Sequence, residues 1–101
     1  MKKVVQNKST TEVEVSAVTL EKYYGIQSGR GTDDKGFITR EKFGNGNFQA
    51  LAAYKLTDGN GWDGFLSSDL KGLIQSLLDN GNFLVFEFNN SQELFTWLGQ
   101  P

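Results

Sequence analysis

The stretch FITREKFGNGNFQALAAYKL, residues 37–56, decides the fold. Two runs rich in aromatic and small apolar residues, 37–43 and 48–56, flank Gly44-Asn45-Gly46-Asn47. Asn-Gly is the dipeptide that type I′ hairpin turns favour, because both central residues there need positive φ. With Asn45-Gly46 at the tip, Phe43 pairs with Phe48, Glu41 with Ala50, Thr39 with Ala52 and Phe37 with Tyr54. Aromatic pairs then close both ends of one face. Ala50 and Ala52 keep the middle of that face low enough for a helix to approach.

Such a helix follows. Leu70, Leu73, Ile74, Leu77 and Leu78 recur at i, i+3, i+4, i+7 and i+8, the stripe of a helix buried on one side. Ser67 or Ser68 is its expected cap, Asp69 suits its positive end, and Gly81 can stop it in left-handed geometry. Residues 82–88 then read as a strand with Phe83 and Val85 on one face and Leu84, Phe86 and Phe88 on the other. Apolar residues on both faces place that strand inside the sheet. Asn90 with Glu93 three residues later announces a second helix, whose buried stripe is Leu94, Phe95 and Leu98 and whose stop is Gly99.

Toward the N-terminus, Val13, Val15 and Ala17 alternate with Glu12, Glu14 and Ser16, the period of a half-buried strand. The parity slips after Ala17. Either a bulge shifts the face or Ser16 caps a short helix reaching Tyr24, and the Val, Thr and Tyr content favours the strand. Residues 25–36, with four glycines, read as an exposed connection. Residues 1–10 read as a loose basic arm with Lys2, Lys3 and Lys8, holding at most a short strand at residues 3–6. The expected fold is α+β, one domain over residues 11–101. Its sheet is mainly antiparallel, of about four strands, with two helices packed on one face in the order β-β-β-α-β-α.

Composition limits the chemistry. A chain of 101 residues has room for one core. It has no Cys and no His, which removes disulfides, thiolate metal sites, the commonest general base and the usual catalytic triads. Nothing in the remaining Asp, Glu, Lys, Tyr, Ser and Thr stands out as a catalytic set, so no enzyme is expected. Between the N-terminal lysines lie only Val4 and Val5, far short of a signal-peptide core, and no stretch approaches the roughly 20 apolar residues of a membrane span. A cytoplasmic protein is expected. Residues 1–42 carry eight basic and six acidic groups and residues 43–101 two and six, so the halves are +2 and −4.

The polar loops supply the candidate contacts. Residues 31–43 look like a calcium loop, but with Gly36 sixth, Gly31 stands first and Lys35 and Lys42 fall fifth and twelfth, where oxygen ligands belong. In residues 58–64, Asp58, Asn60 and Asp63 offer oxygens without a completing Glu, and the segment reads as linked Asp-Gly and Asn-Gly turns. No metal and no cofactor is therefore expected. Trp62 is the residue a turn does not need: it either covers the core edge or anchors a partner. Arg30, between glycines, suits a carboxylate or phosphate. Tyr23 and Tyr24, with Lys22 and Arg30, form an aromatic and basic group of the kind that stacks single-stranded bases, although the interleaved acids disfavour nucleic acid.

The function expected is a small non-catalytic protein-binding module, an inhibitor or modulator of a larger partner that it meets through its loops or a sheet edge. Its candidate contacts are Trp62, Asp58, Asn60, Asp63, Arg30, Tyr23 and Tyr24. In general style the chain resembles small phage-encoded proteins that block host or defence enzymes, a likeness that no motif carries. A nucleic-acid accessory protein is the second class, and a structural subunit that self-associates as a homo-oligomer is the third.

Overall fold

The computed structural model describes residues 1–28, 35–53 and 65–100. Its strands are β1 (Lys2–Val5), β2 (Val13–Glu14), β3 (Tyr23–Ser28), β4 (Lys35–Ile38), β5 (Phe48–Ala52), β6 (Leu66–Ser67) and β7 (Phe83–Phe88); its helices are α1 (Leu70–Asn80) and α2 (Ser91–Leu98). All seven strands form one mixed sheet, curled into a half-barrel, in the order β2-β1-β7-β3-β4-β5-β6. β1 and β2 run parallel and every other neighbouring pair is antiparallel. The class is α+β, but the expected sheet of about four mainly antiparallel strands is replaced by this larger mixed one.

The expectation that both helices pack on one face is overturned: they lie on opposite faces. Phe83 and Val85 of β7 pack with Leu70, Leu73, Ile74 and Leu77 of α1, whereas Phe86 and Phe88 pack with Leu94 and Trp97 of α2. Successive strand residues point to opposite faces, so the sheet lies between the two helices. β7 is an inner strand, flanked by β1 and β3, as its doubly apolar sequence requires.

Two strands reach into segments expected to be a connection and a loose arm. Residues 23–28 form β3, hydrogen-bonded to β7 on one side and β4 on the other, so the glycine at position 25 belongs to the middle of the sheet and not to a loop. The short strand in the basic N-terminal segment is Lys2–Val5, lying between β2 and β7, with Val4 fully buried. The strand expected from residue 11 is only Val13–Glu14, and a 3-10 turn at Val15–Ala17 follows it. Such a turn brings residues three apart to one side. Val15 and Val18 thereby both reach the α1 core, which is what the parity slip after Ala17 encodes.

The hairpin exists, but its register differs. Gly36 opposes Ala52, Phe37 opposes Leu51 and Ile38 opposes Ala50. The offset from the sequence-based pairing is three residues, an odd number, so the faces exchange. Asn45 does not take positive φ; Gly46 alone does, at 81°. The Phe43 carbonyl accepts from the Gly46 N–H at 2.8 Å, and Asn45 Oδ1 accepts from the Asn47 N–H at 3.0 Å, so the turn starts earlier than an Asn-Gly tip would place it. β4 stops where the Thr39 hydroxyl accepts the Gln49 N–H at 2.9 Å, and residues 40–42 then bow out. This parity sends Ile38, Phe48 and Ala50 together into the α1 core.

Helix α1 follows its periodicity: Leu70, Leu73, Ile74 and Leu77 are buried and Gly81 closes it at φ 79°. Its cap is Asp69, whose Oδ2 accepts from the Gly72 N–H at 3.2 Å. Ser67 stands two residues before it, at the end of β6, and accepts from the Asp69 N–H instead.

Candidate functional site

Helix α2 is started by its own side chains. Asn90 Oδ1 accepts from the Glu93 N–H at 2.9 Å, satisfying a free helix-end donor, and Glu93 Oε2 reaches back to accept the N–H of Asn89, the residue before the cap, at 2.9 Å. The buried residues of this helix are Leu94 and Trp97, with Leu98 half-buried, whereas Phe95 is 61% exposed. The stripe expected to hold Phe95 is thus turned toward Trp97.

Gly25 is the reason. A β-carbon at that position would stand 2.5 Å from Trp97 Cζ3 and 2.9 Å from Phe88 Cε2. The missing side chain makes a slot in the sheet face, and the indole fills it. Phe86 meets the Trp97 ring edge-on at 5.6 Å and Phe88 meets it tilted at 5.3 Å, with Tyr23 and Phe37 packed alongside. With Trp97 committed to the slot, the helical spacing of 94, 97 and 98 leaves position 95 on the outside.

The far end of α2 is held by Lys35 from β4. Only 7% exposed, its Nζ donates to the carbonyls of Trp97 at 2.9 Å and Gln100 at 3.1 Å and lies 4.7 Å from the centre of the Trp97 ring. A cation there meets the negative end of the helix and the face of an indole together, and it shares the Trp97 carbonyl with the Gln100 N–H, which also donates to it at 3.2 Å. The lysine that spoils the calcium-loop pattern is therefore the clamp on α2.

Beside α2, toward Met1, opens a cleft of about 470 Å³. Phe88 and Trp97 form its floor; Gln92, Thr96 and Gln100, spaced four apart, form one wall; Met1, 66% exposed, stands at the rim. The side chains of Gln92, Thr96 and Gln100 have no hydrogen-bond partner among the described residues. Glu93 also lines the cleft, but its carboxylate is occupied by the Asn89 N–H. The result is an aromatic floor with free amide and hydroxyl groups over it.

The residues singled out from sequence are distributed differently. Tyr24 lies on the opposite face, buried, its hydroxyl donating to Glu87 Oε2 at 2.8 Å and accepting from the Thr19 N–H at 2.9 Å. Burial pushes its phenol pKa well above the ordinary value, and the Glu87 carboxylate pushes further in the same direction. Tyr23 is half-buried on the α2 face, with the Arg40 guanidinium 3.9 Å from its ring centre and Arg40 Nη1 donating to the Lys22 carbonyl. The two tyrosines are therefore split by the sheet and offer no common stacking platform. Arg30, Asp58, Asn60, Trp62 and Asp63 lie outside the described residues.

Among the described residues no group of three or more acidic side chains converges as a metal site, and no helix is long and apolar enough to cross a membrane. The α2 cleft went unread in the sequence because its floor depends on Gly25 and Lys35, both distant from α2 along the chain. Comparison with protein-family models, with curated proteins and with solved structures gives no match to this chain.

Proposed function

We propose that this chain is a small non-catalytic protein-binding module that works in the cytoplasm and docks its partner on the α2 shoulder. The observation that carries the reading is Phe95, a large aromatic side chain held 61% in solvent on a helix fixed at both ends. Exposed aromatic anchors on rigid elements are where binding energy concentrates at protein interfaces. The cleft on the other side of the same helix adds an aromatic floor and unpaired amides, which suit an apolar side chain and the backbone of an extended segment. A module without reactive side chains acts by occupying a surface, so inhibition or modulation of the partner is the activity that follows.

The tagged chain, recovered from nuclease-treated lysate of its own host, is expected to bring down one stoichiometric protein. Phe95→Ala should weaken that complex by on the order of 2 kcal/mol, and Thr96→Arg should block the cleft, both with melting temperatures close to wild type. Recovery of nucleic acid alone, or a complex unchanged in both variants, overturns the reading.

A further inference from the structure

We infer that a second cleft, at the start of α1 on the opposite face of the sheet, docks an acidic protein segment in which carboxylates flank an apolar side chain. This goes beyond the α2 shoulder and does not depend on it. The cleft encloses about 290 Å³ over a floor of Val18, Phe48 and Leu70, all buried. Leu20 stands at its rim, 46% exposed, and Phe43, the chain neighbour of rim residue Lys42, is 45% exposed.

Two lysines line it from different elements: Lys42 from the bowed residues that follow β4 and Lys71 from the first turn of α1. Both are exposed, and neither has a carboxylate or hydrogen-bond partner among the described residues. The Lys42 ammonium lies 5.5 Å from the centre of the Phe48 ring, which sets the charge beside the apolar floor. Lys35 of β4 and Lys22, just before β3, differ: Lys35 is spent on the Trp97 and Gln100 carbonyls, and Lys22 donates to Asn89 Oδ1 at 2.9 Å. The one acid in the lining, Asp69, already accepts the Gly72 N–H. Glu21 and Glu41 are chain neighbours of Leu20 and Lys42 and lie outside the lining.

Charge complementarity selects the occupant. Two unpaired ammonium groups beside an apolar cleft match a short segment with carboxylates on either side of a Leu or Phe. A long polyanion is a poorer match, because the chain as a whole carries −2 and no exposed aromatic ring lies in the cleft to stack a base. Inorganic phosphate would leave the apolar floor and Leu20 unused.

The test is an NMR titration of the full ¹⁵N-labelled chain with a blocked synthetic peptide of Leu and Phe flanked by glutamates, and with its counterpart in which lysines replace the glutamates. The acidic peptide is expected to shift the amides of residues 18–20, 42, 48 and 68–71. Its affinity should fall at least tenfold in the double variant Lys42→Glu, Lys71→Glu, and should weaken as salt rises. Phe95→Ala should leave these shifts in place, so failure of the α2 reading does not carry over. Both lysines are exposed, and unchanged melting of the double variant confirms its fold. No shift at millimolar peptide, equal binding of the lysine peptide, shifts confined to α2, or the same shifts from inorganic phosphate would each overturn the inference.

Discussion

The two faces of the sheet hold their helices by different means. On the α1 face a layer of aliphatic and aromatic side chains from β1, β3, β4, β5 and β7 meets the Leu and Ile stripe of an eleven-residue helix. On the α2 face an eight-residue helix packs through Leu94, Leu98 and an indole set in a glycine slot, with a buried ammonium fastening the Trp97 and Gln100 carbonyls at its end. The first arrangement is redundant, since many methyl groups share the load. The second concentrates it in Gly25, Lys35 and Trp97, so small changes there should act on α2 and spare the rest.

The largest effect is expected on the redundant face, because its core is the whole molecule's. Leu77 is fully buried, and Leu77→Ala should cost about 3 kcal/mol, seen as a lower midpoint in urea that is identical by fluorescence and circular dichroism. A loss confined to one probe would show that α1 unfolds separately.

Gly25→Ala should cost about 2 kcal/mol through overpacking. Combining it with Trp97→Leu should give less destabilisation than the two single changes summed, because the contact at 2.5 Å disappears with the indole. Simple additivity in that cycle would mean that the slot and the ring are not coupled.

Lys35→Met keeps the stem and removes the ammonium, and should cost about 1–2 kcal/mol. Amide hydrogen exchange should speed up in residues 94–100 while the amides of β3 and β7 keep their rates. Faster exchange throughout the sheet would assign Lys35 to the global core.

What could be read from the sequence follows the same division. Helix α1 and the inner position of β7 were legible because their signals are local: a stripe at helical spacing, and a strand apolar on both faces. The hairpin was legible but its register was not, since residues 44–47 offer more than one turn and only Ile38, by entering the α1 core, decides between them. β3 was hidden because Gly25 looks like a loop residue until Trp97 is known to lie against it. The same ignorance placed Phe95 inside and left Lys35 as a failed metal ligand. Tyr23 and Tyr24 share a sequence address and not a surface, because neighbours on a strand face opposite ways.

The place of β7 also bears on how the protein is made. β1 and β3 do not touch as sheet neighbours; each pairs with β7, which follows them by more than half the chain. Until residues 83–88 have left the ribosome, β1 has no partner but the two-residue β2, and β3 has only β4. Such long-range pairing slows folding and leaves strand edges open while it waits. The nascent chain is therefore most open to misassociation just before β7 arrives, and the sheet closes as a late, cooperative event.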